Sequence, residues 1–255
     1  IITTIQSHFA FHASIENMLN LINKVDGQRE IRKGKINFPK KCKTIKFKNV
    51  FFNYENTKES ALKNFSCEIK GGKINAIIGI SGSGKTTIVN MIPRLLCPSK
   101  GKIYINNLDL NLFDAKKIRE ACVFIEQKPI FIRGSIIEHI CYNNDKLDYK
   151  IASQAAKLAN AHNFIMKLEN NYDHKLGEGG IGLSGGQLQR LDITRGIASN
   201  KDIMILDEPT SNLDDENTKD ILKTLKKINK VRKITVIVVS HDTEILKYCD
   251  NVIKL

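Results

Sequence analysis

The feature that most constrains how this chain folds is a glycine-rich segment set between a strand pattern and a helix pattern. Residues 79–86 read GISGSGKT, which fits the spacing G-x-x-x-x-G-K-[ST]. Residues 73–78 before it predict a buried strand, and residues 85–96 after it predict a helix that ends near Pro93. A strand that runs through a glycine turn into a helix is a unit of α/β folds, so we expect that class.

The residue types in this segment suit a phosphate chain. Glycine adopts the backbone angles that let successive amides curl around phosphate oxygens, and the start of the helix adds partial positive charge. Lys85 would place an ammonium on the β- and γ-phosphates, and Thr86 would offer a hydroxyl to Mg²⁺. The alternative is a glycine-rich turn with a chance lysine, which the flanking strand and helix disfavour. The predicted nucleotide contacts are Gly79, Ile80, Ser81, Gly82, Ser83, Gly84, Lys85, Thr86 and Thr87.

A second apolar strand, predicted at residues 203–206, ends in two carboxylates. Asp207 is placed to hold Mg²⁺, and Glu208 is placed to act as a general base that polarises water against the γ-phosphate. An acidic pair at a strand end is common on protein surfaces, so the pair alone is ambiguous. The phosphate-binding segment upstream favours catalysis.

Another anion-binding cradle is predicted at residues 183–187, which read LSGGQ and precede a helical run at 187–199. One nucleotide needs one phosphate loop, so the second cradle suggests that these residues contact the nucleotide bound by another chain. This pentapeptide is the ABC signature, and residues 44–255 resemble the nucleotide-binding domain of an ABC transporter. The resemblance implies an α/β P-loop NTPase (RecA-like) fold. It includes a mixed core sheet, an antiparallel β subdomain and a helical signature subdomain at about residues 120–190.

The resemblance also assigns roles to residues that are ambiguous alone. Tyr54, otherwise a tyrosine at a strand end, matches the aromatic residue that stacks on adenine. Gln127 matches the Q-loop residue that reaches Mg²⁺ and the attacking water, and Asp214 closes the D-loop, which crosses the dimer seam. His241, otherwise a loop histidine, matches the switch histidine that touches the γ-phosphate. The implied catalytic set is Lys85, Gln127, Glu208 and His241, the metal set is Thr86, Gln127 and Asp207, and the second cradle is Ser184, Gly185, Gly186 and Gln187.

Within the family, the sequences of two segments resemble the corresponding segments of exporters. These are the residues that follow Gln127 and the GEGG at 177–180, although an arginine that exporters usually carry in the second segment is absent. Residues 1–34 are predicted to be a helix at 13–25, with Ser14 as its N-cap, and a linker. They resemble the cytoplasmic end of the last transmembrane helix of exporters with a fused transmembrane domain. We therefore expect a fragment in which residues 35–255 form the nucleotide-binding domain.

The charge balance allows a different class of function. The chain has 40 Lys and Arg against 27 Asp and Glu, a net charge of +13, and seven lysines lie between residues 33 and 48. Such charge attracts nucleic acid or an anionic lipid surface. No aromatic platform or arginine cluster accompanies these lysines, so the sequence favours a solvated linker that leads into an edge strand. No apolar run approaches the roughly 18 residues that span a bilayer, so we expect the fragment to be soluble.

The sequence therefore predicts an ATPase domain, with ATP and Mg²⁺ as its ligands, that powers export by ATP-driven head-to-tail dimerisation. The expected partners are a second nucleotide-binding domain, in a homodimer, and the transmembrane domains of a transporter at the cytoplasmic face of a membrane. No nucleic-acid partner is expected. One alternative is an ABC ATPase of a non-transport system that acts on nucleic acid. Another is a regulatory module that binds ATP without turnover.

Overall fold

The structure is a computed structural model, and it describes most of the chain after residue 33. The described residues are 11–12, 14–22, 34–54, 57, 59–128, 131, 133–142, 146–177, 180–211 and 213–255. The chain divides into two compact units, Ile1–Lys33 and Gly34–Leu255. Residues 14–22 of the first unit form helix α1. Ser14 is itself helical, so it is not the N-cap that the sequence predicted, and residues 11 and 12 are helical too, while the predicted positions 13 and 23–33 lie outside the described residues.

The second unit alternates strands and helices. Its described strands are β1 (Thr44–Phe52), β2 (Leu62–Lys70), β3 (Ile74–Ile78), β4 (Lys100–Ile105), β5 (Leu108–Asp109), β6 (Cys122–Ile125), β7 (Gly134–Ser135), β8 (Lys175–Leu176), β9 (Ile203–Asp207), β10 (Thr235–Ser240) and β11 (Asn251–Lys254). Its described helices are α2 (Lys85–Met91), α3 (Ala115–Glu120), α4 (Ile136–Ile140), α5 (Tyr149–Leu158), α6 (His162–Ile165), α7 (Gly185–Ala198) and α8 (Asp215–Arg232).

The core of the second unit is a sheet with the strand order β11-β3-β10-β9-β6, in which every described pairing is parallel. Alternate residues of its central strands enter two different apolar clusters. In β9, Met204 and Leu206 pack on one side, and Ile203 and Ile205 pack on the other. Because both faces of the sheet are covered, these strands are continuously apolar in sequence. The register aligns Ile78 with Ser240 and Val239 with Asp207, so the carboxyl ends of three strands meet at one edge.

A second sheet has the order β2-β1-β4-β5, with antiparallel pairing throughout. The described antiparallel strands thus lie outside the core sheet, whereas the sequence predicted a mixed core sheet. The prediction that the lysine-rich segment leads into an edge strand is wrong, because β1 lies between β2 and β4. Ile45 and Phe47 are buried while Lys46 and Lys48 point away from the core. The lysines therefore mark the solvated face of an interior strand rather than a sheet edge.

Helix ends differ from the sequence predictions where single residues interrupt the backbone pattern. Helix α2 ends at Met91 rather than at residue 96, because Pro93 has no N–H group to continue the helical hydrogen bonds, although Ile92 before it keeps helical angles. The helix predicted at 146–168 is broken into α5 and α6, and Asn160 between them has a left-handed φ of 55°. In the described part of the chain, no helix is both long and apolar enough to cross a bilayer.

Candidate active site

A cleft of about 570 Å³ lies at the edge where the core strands end. The segment after β3, the end of β9 and the loop after β1 all contribute to its walls. Several predicted site residues therefore come together here from distant parts of the sequence. The described lining residues are Tyr54, Thr57, Glu59, Ser60, Ala61, Ser81, Gly82, Gly84, Lys85, Thr86, Thr87, Gln127, Asp207 and Glu208.

The loop between β3 and α2 has the backbone of a phosphate cradle. Gly82 and Gly84 have φ values of 79° and 93°, which favour glycine. A Cβ atom on Gly84 would lie only 2.6 Å from the carbonyl oxygen of Ala61. Gly84 is also the N-cap of α2 and supplies no side-chain hydrogen bond. The first amides of the helix therefore face the cleft without a side-chain cap, as anion binding requires.

Lys85 and Ser83 place polar atoms within this loop. Lys85 is buried, and its Nζ donates to the carbonyl oxygens of Gly79 and Ile80 at 2.9 and 2.8 Å. An ammonium has three donors, so one remains for an anion in the cleft. The Oγ atom of Ser83 is buried and has no hydrogen-bond partner among the described residues. These features fit a bound phosphate group, which would supply an acceptor for both residues.

Thr86 and Asp207 form the oxygen-rich side of the cleft. Thr86 Oγ1 donates to Asp207 Oδ2 at 3.0 Å. Burial raises the pKa of Asp207 above its usual value, although the hydrogen bond from Thr86 opposes the shift. Among the described residues, no cluster of three or more His, Cys, Asp or Glu side chains could hold a metal by itself. The pair instead fits Mg²⁺, which binds through one or two protein oxygens together with substrate phosphates.

Glu208 is held by two of the residues that were predicted to act with it. Its Oε2 atom accepts from Gln127 Nε2 at 3.1 Å, and its Oε1 atom lies 3.1 Å from His241 Nδ1. Gln127 Nε2 also lies 3.2 Å from Ser211 Oγ, whose hydroxyl reaches the main-chain oxygen of Glu208 at 3.1 Å. Ser211 belongs to the D-loop at 211–214, but no site role was predicted for it from the sequence.

The backbone of Glu208 is unusual for a non-glycine residue. Its φ is 45°, in the left-handed region, and its amide donates to Val239 O at 2.9 Å. A non-glycine residue in this region costs free energy and persists where the surroundings hold it. The left-handed turn directly follows the last residue of β9. At Glu208 the backbone therefore leaves the extended conformation of β9, and the side chain does not continue the alternation of the strand.

The second cradle, Ser184–Gln187, begins helix α7. Ser184 Oγ accepts from the Gln187 amide, and the Gln187 side chain accepts from the Ser184 amide, which together form a capping box. Gly185 is exposed, but Gly186 is buried, and a Cβ atom on it would lie 2.8 Å from Asn217 Oδ1. The described residues that line the cleft include none from 184–187. The cradle therefore lies outside the cleft that the phosphate loop lines, and Gly185 lines a smaller neighbouring pocket of about 150 Å³ together with Gln127 and Glu208.

Asp214 lies beside the second cradle rather than in the cleft. It caps helix α8, and its carboxylate accepts from both the amide and the side chain of Asn217. The hydrogen bond from the Asn217 amide lowers the pKa of Asp214. Arg190 of α7 donates to Asn217 Oδ1 at 3.2 Å, which joins the two helix starts. Asp214 and helix α7 are thus linked through Asn217.

Tyr54 lies at the other end of the cleft, after β1. Its hydroxyl is 2.9 Å from Thr87 Oγ1, and its ring meets the Phe52 ring edge to face at 4.9 Å. Four further lining residues were not singled out in the sequence, namely Thr57, Glu59, Ser60 and Ala61. Their signal was only their position directly after Tyr54. Their side-chain types match no motif, so they could not be assigned to the site from the sequence.

A buried polar cluster connects the signature helix with the segment after Gln127. His139 of α4 is 2% exposed and stacks on Phe131 with ring centroids 4.6 Å apart. Its Nε2 lies 3.8 Å from Asp192 Oδ1. Arg195 donates to the same carboxylate oxygen at 2.6 Å and to the carbonyl oxygen of Phe124, in β6, at 3.4 Å. Helix α7 is thereby tied to the elements on both sides of Gln127.

Stability should fall in mild acid because of His139. Burial and the Arg195 charge lower the pKa of His139 from 6.5 to about 3. Below pH 6.5 the His139 side chain is protonated in the unfolded chain but stays neutral in the folded chain. The contribution of His139 to the free energy of unfolding is therefore fully present above pH 6.5 and is lost progressively as the pH falls toward 3. In urea unfolding between pH 7.5 and 5, we expect the wild type to lose up to about 1.4 kcal/mol per pH unit more than His139→Asn. Equal slopes would contradict this prediction.

Comparisons with known proteins identify the family. A model described as "ABC transporter" matches residues 62–211, which is more than half of the chain. Alpha-hemolysin translocation ATP-binding protein HlyB of Escherichia coli is 38% identical over 222 residues, which cover 87% of this chain and 31% of the relative. The ATP-dependent lipid A-core flippase of Pasteurella multocida is 38% identical over 212 residues, which cover 83% and 36%. ABC transporter B family member 17 of Arabidopsis thaliana is 38% identical over 214 residues, which cover 83% and 17%.

The solved structure of a bacterial Atm1-family ABC exporter with ATP bound agrees with this chain at a TM-score of 0.80 and 29% identity. The match covers 96% of this chain and 42% of that one. The chain belongs to the ABC transporter family, and it has the fold of the ATP-binding domain of that family. The predicted family and fold class are thereby confirmed, and these matches give no support to the nucleic-acid alternative. The chain spans roughly a sixth to a third of the length of the relatives described above.

Proposed function

We propose that this chain hydrolyses ATP to drive export across a membrane, and that two copies bind two Mg·ATP at a head-to-tail interface. In each site the phosphate loop 79–87 of one copy faces the signature residues 184–187 of the other. The separation of these two cradles within one chain carries the proposal. Residues 184–187 are absent from the described lining of the cleft, and Gly185 is exposed. These observations support a site in which a second copy brings its signature residues to the nucleotide bound by the phosphate loop of the first.

Each side chain around the cleft has a distinct part in this proposal. Lys85 and the loop amides bind the β- and γ-phosphates, and Tyr54 stacks on the adenine. Thr86 and Asp207 hold Mg²⁺, which supplies positive charge to the phosphate oxygens when bound, and Gln127 adds its amide oxygen. Glu208 orients the attacking water and accepts its proton. Because Gln127 and His241 each contact one oxygen of the Glu208 carboxylate, its orientation is fixed before water binds.

The proposed cycle depends on ATP binding more tightly to the closed dimer than to the open one. Nucleotide that contacts both copies favours closure, and loss of the γ-phosphate removes contacts that only the closed dimer makes. In an exporter, opening and closing would drive the transmembrane domains. In this proposal residues 1–34 would be the cytoplasmic end of the last transmembrane helix and its linker, and the ATPase would work at the cytoplasmic face of a membrane. The translocation and flippase functions that the names of two relatives state, and the exporter named in the matched solved structure, support this part of the proposal.

The variant Gly185→Glu tests the role of the signature. A Cβ atom on Gly185 would meet Leu213 Cδ2 at 3.7 Å, an ordinary contact, and Gly185 is exposed, so the backbone accepts a side chain at this position. The new carboxylate would face the phosphates bound by the other copy and repel them. We expect ATP binding to a single copy to persist, and ATP turnover to fall by about 100-fold or more.

The matched control is Ile151→Glu, which adds the same charge to the exposed first turn of α5. It should keep wild-type turnover. Binding is measured by calorimetry and turnover by phosphate release. A Gly185→Glu protein that hydrolyses ATP at the wild-type rate would contradict the two-copy site.

A further inference from the structure

The pocket of about 150 Å³ beside the second cradle brings helix α7 next to the residues that hold Glu208. Its described lining includes Gln127, Glu208 and Ser211. Helix α7 contributes Gly185 and, one helical turn later on the same face, Gln189. The pocket therefore joins the proposed general base of one site to the helix whose first residues are proposed to serve the other site.

Gln189 carries a buried amide that the described protein leaves without a hydrogen bond. The residue is 4% exposed, and its Nε2 atom is buried with no partner among the described residues. A buried donor without an acceptor costs free energy, so native proteins normally pair such a group with protein or with ordered water. Because the described side chains and main chain supply no acceptor, ordered water is the partner that this amide requires.

The pocket has the room and the polar groups that ordered water needs. A water molecule takes up about 30 Å³ in the liquid and makes two to four hydrogen bonds in a protein interior. Ser211 Oγ accepts from Gln127 Nε2 and donates to the main-chain oxygen of Glu208, so one of its two lone pairs is left for another donor. A water that accepts from Gln189 Nε2 can donate to this lone pair.

We infer that Gln189 is a positioning residue for ATP hydrolysis, which acts through an ordered water in this pocket and holds Ser211 in place. The inference rests on the proposed function. Since Ser211 contacts both Gln127 and Glu208, a water that fixes its hydroxyl also restricts the pair that orients the attacking water. Gln189 is absent from the described lining of the nucleotide cleft, so its loss should slow turnover without weakening ATP binding.

The first test is Gln189→Met, which keeps the length of the side chain and removes its amide. We expect kcat for ATP to fall by about 10-fold while the Kd for Mg·ATP, measured by calorimetry, stays unchanged. The thermal midpoint should stay close to that of the wild type, because the lost bond is to water and not to protein. The matched control is Gln154→Met on α5, where the glutamine is exposed. It should change none of the three quantities.

A double-mutant cycle tests whether Gln189 and Ser211 act together. The Gln189 Nε2 atom makes no described hydrogen bond, so coupling between the two residues requires a bridge. Ser211→Ala removes the hydroxyl, and we expect the double variant to turn over ATP no more slowly than Ser211→Ala alone. A crystal structure of the wild type should show one water within about 3 Å of both Gln189 Nε2 and Ser211 Oγ.

Four results bear against these proposals. Normal turnover by Gln189→Met would overturn the inference, and so would independent losses that multiply in the double variant. A Gln189→Met protein that loses thermal stability and ATP affinity together with turnover would also overturn it and make Gln189 a structural residue. A wild-type protein that folds but does not hydrolyse ATP would instead overturn the proposed function on which the inference rests.

Discussion

Lys85→Ala is expected to weaken ATP binding by about 100-fold or more, because it removes a charged donor from the centre of the phosphate loop. The ammonium is held by the carbonyl oxygens of Gly79 and Ile80, both within 3 Å. It is therefore already in place when a phosphate arrives, and little ordering cost remains to be met on binding. Calorimetric titration with Mg·ATP measures the loss.

The same substitution also removes buried contacts, so its effect on folding needs a separate measurement. Lys85→Met keeps most of the length of the side chain and removes only its charge and donors. We expect Met to bind ATP as poorly as Ala, with a thermal midpoint closer to that of the wild type. If Lys85→Met binds ATP with wild-type affinity, the assignment of Lys85 to the phosphates is wrong.

Glu208→Gln is expected to lower ATP turnover by about 10²- to 10⁴-fold while ATP remains bound. The amide keeps the size of the side chain but cannot accept a proton from water. It also replaces one of the two oxygens that contact Gln127 and His241, so the fixed orientation is weakened as well. Because hydrolysis is slow, the ATP-bound dimer should accumulate and appear in sedimentation as a species of twice the mass.

The control for this variant is Glu244→Gln. Glu244 lies three residues after His241 and forms an exposed ion pair with Lys247, so the substitution removes the same charge outside the site. It should leave turnover unchanged and show no accumulation of dimer. Near-normal turnover by Glu208→Gln would show that another group accepts the proton. A protein that stays monomeric while ATP is bound would contradict the proposed homodimer.

Site residues that belong to short sequence motifs could be predicted from the sequence. The phosphate loop and the Asp207–Glu208 pair each lie directly after a buried apolar strand, and parallel strands place such ends at one edge of a sheet. The sequence could therefore predict that Lys85, Thr86, Asp207 and Glu208 share a site. The structure brings them together at the cleft, with Thr86 and Asp207 in direct contact.

Features that depend on distant contacts could not be predicted in the same way. No local pattern shows that Thr87 meets Tyr54, that Ser211 meets Gln127, or that Glu208 adopts a left-handed backbone. The interior position of β1 depends on pairing with β2 and β4, and its alternating lysines are equally compatible with an edge strand. The short strands β7 and β8 pair over two residues each, too few for a periodic pattern to be visible.

The most direct test of the central claim mixes two inactive variants. Lys85→Ala has a defective phosphate loop and an intact signature, and Gly185→Glu has the reverse. A mixed dimer contains one intact site, formed by the phosphate loop of the Gly185→Glu copy and the signature of the Lys85→Ala copy. If two copies share each ATP site, each variant alone is inactive and an equal mixture regains turnover, up to about a quarter of the wild-type rate per chain. A mixture that stays as inactive as its components, although mixed dimers form, would contradict an ATP site shared between two copies.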